Sequence, residues 1–122
     1  MTGVADLVGV AFLLTVRPGM TGEYRRRHAE IWPEMASALR GQGILRYEIH
    51  LCEETRQVFG LQLRDPGVPP AAEPPVIGRW RAHMADVLEM EGDVPRRAAL
   101  ERVFLLTETL PATTDDNDIE NA

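Results

Sequence analysis

The stretch ILRYEIHL-CEETR-QVFGLQLR, residues 44–64, contains two short segments of β type joined by a polar turn. Apolar side chains occupy every second position at the end of the first segment: Leu45, Tyr47, Ile49 and Leu51. This alternation is typical of a half-buried strand. The second segment, residues 57–64, is rich in strand-forming residues as well. The pattern predicts an antiparallel hairpin with Tyr47 on the face that packs against helices.

The regions on either side of the hairpin each predict one strand and one helix. Before it, we expect a strand over residues 8–16 and a helix over residues 22–40, which Pro33 should kink or restart near Trp32. After it, residues 65–75 hold five of the nine prolines and predict an extended loop within the domain. The remaining elements are a helix over residues 76–90 and a strand over residues 100–107.

The resulting order, βαββαβ, indicates an α+β fold. Two helices can cover one face of a four-stranded antiparallel sheet, which is the ferredoxin-like arrangement. Apolar runs at residues 8–16 and 103–106 suggest that the other face is covered too, and a homodimer that packs sheet on sheet would cover it. We assign residues 1–110 to a single domain and residues 111–122 to an acidic, disordered tail.

Composition excludes several classes of protein. The net charge is −6, and without the four acids of the last eight residues the chain carries 13 basic and 15 acidic groups, so we expect no nucleic-acid partner. All 13 basic residues are arginine, which excludes a Schiff-base lysine. The single cysteine, Cys52, excludes an intramolecular disulfide. The longest apolar run is too short to cross a membrane, no signal peptide is recognised, and we expect a cytoplasmic protein.

One helical ridge could carry chemistry. Tyr24, His28 and Trp32 lie at positions i, i+4 and i+8 of the first predicted helix. They would offer a phenol, a group that titrates near neutral pH and a flat apolar wall. The alternative is that Tyr24 and Trp32 are core residues and His28 is a partly buried, hydrogen-bonded histidine.

The other candidates are equally open to a structural interpretation. Tyr47 and Trp80 could line a site or pack in the core, and an indole could serve as a platform for a sugar ring. His50 lies on the opposite strand face from Tyr47, and His83 follows Trp80 by three residues. Since no metal-binding histidine spacing occurs, we expect no metal site, and since no glycine-rich phosphate loop or other cofactor motif occurs, we expect no cofactor.

The segment Tyr24-Arg-Arg-Arg-His28-Ala-Glu-Ile-Trp-Pro-Glu34 resembles the signature of the L-rhamnose mutarotase family. The resemblance extends over residues 8–106. It implies a dimeric α+β barrel built from ferredoxin-like protomers, and a cofactor-free isomerase that interconverts the α and β anomers of L-rhamnose or a related monosaccharide by general acid–base catalysis.

The resemblance also implies roles for particular residues. His28 takes the position of the proposed proton donor, and Tyr24, Tyr47 and Trp80 take positions that contact the sugar. The family has a second tryptophan where this chain has Arg81, so we include Arg81 among the expected substrate-binding residues and leave the sugar's identity open. Three alternatives remain: a non-catalytic small-ligand-binding module, a cofactor-free monooxygenase of the same barrel type, and a structural dimer without a site.

Overall fold

A computed structural model describes residues 7–69 and 71–106 of the chain. The helices are α1 (Thr21–Ala29), α2 (Pro33–Gly41) and α3 (Pro75–His83). The strands are β1 (Val8–Thr15), β2 (Ile44–Cys52), β3 (Gln57–Arg64), β4 (Met90–Glu91), β5 (Val94–Pro95) and β6 (Ala98–Leu100). The predicted acidic tail at residues 111–122 lies outside the described residues. Within the described part, no helix is both long and apolar enough to cross a membrane.

The main sheet has four antiparallel strands in the order β2-β3-β1-β6. This order confirms the predicted α+β, ferredoxin-like sheet. Phe12 of β1 lies opposite Gly60 of β3 on one side and opposite Ala99 of β6 on the other. Because directly paired residues share a face of the sheet, these three positions form one row across its centre.

The hydrophobic core lies between one face of this sheet and the three helices. Val16 and Val58 supply the sheet side, and Tyr24, Met35 and Trp80 supply one residue from each helix. All five are at least nine-tenths buried. The buried apolar surface therefore fixes the helices on this face and leaves the opposite face of the sheet without a helix from the described part of the chain.

The predicted break at Pro33 is confirmed, and the first helical region is two helices. Pro33 is the first residue of α2, where its missing N–H costs no hydrogen bond. Trp32 precedes it in an extended conformation with ψ 131°, as expected of a residue before proline. The chain therefore turns between Ala29 and Pro33 and restarts as a second helix.

The second predicted helical region is shorter than expected. It ends at His83 instead of Met90. The backbone of the following segment bonds to the end of β1: Glu89 N–H donates to the Thr15 carbonyl at 2.9 Å. Met84, Val87 and Leu88 are buried, so their helix-like spacing reflects core packing of an irregular segment rather than a continuing helix.

Two further expectations about strands are wrong. The last strand covers Ala98–Leu100 instead of residues 100–107, because its pairing with β1 stops at Ala11 and Leu100. Apolar composition predicted the longer strand, yet Val103 is 87% exposed. In β2, a register shift between Ile44 and Arg46 makes Leu45 an extra residue. Leu45 is 60% exposed and does not pack in the core as predicted.

Candidate active site

A cavity of about 470 Å³ opens between the sheet and the helices, beside His28. Its walls combine apolar side chains with others that carry a polar group or an aromatic ring, among them Phe12, His28, Tyr47, Gln62, Trp80 and Arg81. Arg97 and Glu91 also border it. A volume of this order holds a small ligand such as a monosaccharide. The presence of this cavity beside His28 argues against a purely structural dimer.

His28, the predicted catalytic residue, is held by α1 itself. Its Nδ1 lies 3.1 Å from the carbonyl oxygen of Tyr24, one helical turn earlier. A carbonyl can only accept, so Nδ1 carries the proton and Nε2 is left with a lone pair. Burial lowers the pKa of His28 below its ordinary value of 6.5, and this outweighs the opposing effect of the Tyr24 carbonyl. At neutral pH, His28 is therefore an uncharged base.

Tyr24 lies behind His28 rather than in the wall of the cavity. Its ring is 4% exposed, belongs to the hydrophobic core and lies 4.4 Å from the His28 ring, centroid to centroid. Burial, with a smaller effect of the neighbouring Tyr47, raises the pKa of its phenol. Tyr24 thus supports the imidazole by ring packing and by its backbone carbonyl.

Tyr47 lies on β2 and does line the cavity. Burial raises the pKa of its phenol, while a hydrogen bond with the Gln62 side chain and the positive charge of Arg97 act in the opposite direction. Because burial has the larger effect, the phenol keeps its proton at neutral pH and can donate it in a hydrogen bond. Tyr47 thereby brings a polar group into a largely apolar wall.

Gln62 is a site residue that reasoning from the sequence missed. It lies directly opposite Tyr47 in the β2–β3 pairing. A signal was present: positions 58, 60 and 62 share one face of β3, and a glutamine at the third of them is a polar group on the core side. Its position beside Tyr47 follows from the observed register, which pairs Cys52 with Gln57.

Trp80 lies on α3, is 9% exposed and lines the cavity. Its ring meets the His28 ring edge to face at 5.5 Å and the Trp32 ring at 5.0 Å. The predicted ridge of Tyr24, His28 and Trp32 on one continuous helix is wrong beyond His28, because α1 ends at Ala29. Trp32 instead lies in the connection between α1 and α2, where its ring packs against that of Trp80.

Arg81, the residue after Trp80, lines the same cavity. Its Nη2 donates to Oε2 of Glu73 at 2.8 Å, and this carboxylate raises the pKa of the guanidinium. The ion pair joins α3 to the proline-rich loop that precedes it. The positive charge of Arg81 is therefore at the cavity wall, where the carboxylate of Glu73 already pairs with it.

Phe12 and Arg97 were also missed as site residues. The guanidinium carbon of Arg97 lies 4.0 Å from the centre of the Phe12 ring, a cation–π contact. The Phe12 ring in turn meets the Tyr47 ring edge to face at 6.3 Å. No helix or strand was predicted for residues 96–99, so there was no reason from the sequence to place Arg97 in a cavity.

The other two histidines do not join His28 in a cluster. His50 is exposed on the opposite face of β2, where its Nε2 lies 3.1 Å from Glu48. His83 contacts the rings of Trp32 and Trp80. In the part of the chain that the structure describes, no group of three or more His, Cys, Asp and Glu residues could hold a metal ion.

A family sequence model, curated relatives and a solved structure all match this chain to the L-rhamnose mutarotase family. A sequence model described as L-rhamnose mutarotase matches residues 9–106. Among curated relatives, an L-rhamnose mutarotase from Brucella anthropi is 47% identical over 97 residues, which covers 77% of this chain and 92% of that protein. Another from Sinorhizobium fredii is 43% identical over 100 residues, covering 80% and 96%.

Solved structures agree. The crystal structure of an L-rhamnose mutarotase from Formosa agariphila has a TM-score of 0.74 at 29% identity, covering 82% of this chain and 99% of that one. A Pseudomonas aeruginosa protein has a TM-score of 0.51 at 16% identity, covering 84% and 100%. The second similarity concerns the fold alone.

Proposed function

The chain belongs to the L-rhamnose mutarotase family, and from that premise we propose that it interconverts the α and β anomers of L-rhamnose in the cavity beside His28. It is thus an isomerase that acts on a carbohydrate. The observation that carries the proposal is the state of His28: an uncharged imidazole whose Nδ1 donates to the Tyr24 carbonyl, beside a cavity of suitable size.

The reaction opens and recloses a hemiacetal. A base removes the proton from the anomeric hydroxyl, C1 and O1 become a carbonyl, and the bond between C1 and the ring oxygen breaks. The ring oxygen keeps the bonding electrons and takes up a proton. Rotation of the aldehyde about the C1–C2 bond exposes its other face, and the reverse steps give the other anomer. Every proton removed is returned, so the reaction needs one group that can both accept and donate.

His28 meets this requirement by itself. Its Nε2 lone pair accepts the proton of the anomeric hydroxyl, and the imidazolium then donates to the ring oxygen. The burial that lowers the pKa of His28 keeps it in the base form at neutral pH and makes the imidazolium a stronger acid. A positioned acid–base group accounts for an acceleration of about 10²–10⁴-fold.

The predicted substrate-binding residues divide into two groups. Tyr47, Trp80 and Arg81 line the cavity, where we assign the Tyr47 phenol to a sugar hydroxyl, the Trp80 indole to an apolar face of the ring and Arg81 to the rim. Tyr24 is behind the wall, so we assign it to holding the His28 ring and its tautomer. The monosaccharide is the only small-molecule partner that the mechanism uses.

We also propose that the protein is a homodimer in which the sheets pack together, as in a dimeric α+β barrel. The face of the sheet away from the described helices carries apolar side chains from two central strands: Ala11, Leu13, Phe59, Leu61 and Leu63. A second copy would remove this surface from water. Sedimentation analysis should give twice the chain mass, and Leu61→Arg should give the monomer.

The cytoplasmic location stays a prediction from sequence.

Polarimetry tests the catalytic proposal. Crystalline α-L-rhamnose is dissolved, and its optical rotation is followed to equilibrium with and without protein. We expect wild type to accelerate the approach, His28→Ala and His28→Gln to lose the acceleration, and Glu54→Ala, which changes an exposed side chain in the turn between β2 and β3, to keep it. Saturable binding of the sugar by wild type with no acceleration would instead favour the ligand-binding module.

A further inference from the structure

Arg97 reaches the cavity because of the alternation of side chains at β6. Ala99 lies opposite Phe12, so it shares the face of the sheet on which Phe12 meets the core. Residues two apart along an extended chain point to the same side, which directs Arg97 toward the cavity and the adjacent Arg96 away from it. Arg97 does line the cavity, whereas Arg96 is not among its lining residues and lies 3.7 Å from Glu91 at the border of the cavity.

The guanidinium of Arg97 has a platform there. Its carbon lies 4.0 Å from the centre of the Phe12 ring, and that ring is buried in the middle of the sheet. Phe12 can occupy this position because Gly60 faces it: a Cβ at residue 60 would lie 2.4 Å from the ring's Cζ. Stacking fixes the plane of the guanidinium and leaves the N–H groups at its edge free to donate.

The charge of Arg97 is not matched in the way that its neighbours' charges are. Arg81 is paired with Glu73, and Arg96 faces Glu91. Within residues 7–69 and 71–106, none of the ion pairs or side-chain hydrogen bonds involves Arg97. Its positive charge acts on the Tyr47 phenol, where it opposes part of the rise in pKa that burial causes. Arg97 and Tyr47 therefore lie in the same part of the cavity.

We propose that Arg97 is a further substrate-contacting residue, which donates hydrogen bonds from its stacked guanidinium to an oxygen of the sugar held beside His28 and Tyr47. This inference rests on the proposed mutarotase function. Loss of a hydrogen bond that involves a charged group corresponds to a decrease of about 10- to 100-fold in kcat/KM. Lysine keeps the charge without the planar fork, so it restores part of the activity.

The experiment compares Arg97→Gln and Arg97→Lys with the control Arg79→Gln, at an exposed arginine of α3 that pairs with Glu34 and does not line the cavity. For each folded variant, kcat/KM for L-rhamnose is measured by polarimetry, and L-rhamnose binding is measured from the fluorescence of the tryptophans, one of which lines the cavity. We expect a 10- to 100-fold lower kcat/KM and weaker binding for Arg97→Gln, intermediate values for Arg97→Lys and wild-type values for Arg79→Gln. Values for Arg97→Gln within twofold of wild type would overturn the inference, as would an equal loss in Arg79→Gln.

The results distinguish failure of the proposed mutarotase function from failure of the proposed role of Arg97. If wild type accelerates anomer exchange and Arg97→Gln does so equally, mutarotation stands and the role of Arg97 falls. If wild type does not accelerate exchange but binds L-rhamnose, the mechanism falls, and the fluorescence titration alone decides whether Arg97 contacts the sugar. If wild type neither exchanges nor binds L-rhamnose, both proposals fall.

Discussion

Replacing Gly60 with alanine tests how the centre of the sheet supports the cavity. Gly60 lies opposite Phe12 in the β1–β3 pairing, and an added Cβ would meet three atoms of the Phe12 ring, at 2.4, 2.6 and 2.9 Å. The neighbouring group is a rigid, buried ring rather than the end of a flexible chain. The ring must therefore move, and with it the surface on which Arg97 stacks.

The overlap between the added Cβ and the Phe12 ring determines how much stability Gly60→Ala should lose. Ordinary contacts of a Cβ begin at about 3.4 Å, so the closest pair is about 1 Å too near. Forcing one methyl group into a packed core costs about 1–3 kcal/mol. In a domain of about 100 residues each kcal/mol lowers the melting temperature by roughly 4 °C or more. We expect Gly60→Ala to lower it by at least that amount, and to lower kcat/KM for L-rhamnose because Phe12 and Arg97 both line the cavity.

Gly78 provides the matched control, since it lies in the middle of α3 and an added Cβ there meets nothing within 4 Å. Gly78→Ala should raise stability by about 0.5–1 kcal/mol, because glycine is a poor helix former. Calorimetry of the two variants gives the sign and size of each effect. A Gly60→Ala protein as stable and as active as wild type would show that Phe12 is not confined as the structure describes.

Three other predictions concern single groups. The catalysed rate should be constant around neutral pH and fall in acid with an inflection below 6.5, since burial lowers the pKa of the base His28 and protonation removes its lone pair; a rate that rises on acidification would contradict this. Trp80→Phe should raise the KM for L-rhamnose roughly two- to tenfold with a smaller change in kcat, measured by polarimetry, and an unchanged KM would place the sugar elsewhere. Arg27→Ala should lower the melting temperature at neutral pH, because Arg27 donates to Asp86 and holds its pKa below 3.8. That contribution is present above pH 3.8 and is lost as the pH falls through the lowered pKa, whereas the hydrogen bond to the His83 carbonyl does not titrate. The difference between the two melting temperatures should therefore become smaller in acid, and a difference that does not shrink would contradict this.

Local patterns predicted the central elements of the fold well. The hairpin of β2 and β3, the strand β1 and the restart at Pro33 each follow from the nearest few residues, through side-chain alternation or the geometry of proline. Elements whose end depends on a distant partner were predicted less well. The residues after His83 keep a helix-like apolar spacing, but hydrogen bonds to the end of β1 take the chain out of the helix.

The difference between local patterns and dependence on a distant partner also explains which site residues could be predicted. His28 and Tyr47 could be found from the sequence because a helix and a hairpin place them in a known relation to their neighbours, and a family resemblance named them. Gln62 could be recognised as a polar residue on the core face of β3, but its position opposite Tyr47 depends on the exact register of the hairpin. Arg97 was not, because its place in the cavity depends on the pairing of β6 with β1, and the sequence predicted that strand at the wrong residues.

Proton exchange spectroscopy on L-rhamnose at anomeric equilibrium tests the central claim most directly. Under these conditions the concentrations do not change, so any transfer of magnetisation between the two anomeric protons reports ring opening and closure. The account predicts exchange cross-peaks that grow in proportion to wild-type protein and that disappear with His28→Ala. Cross-peaks no larger with folded wild-type protein than in buffer, or undiminished in His28→Ala, would contradict it.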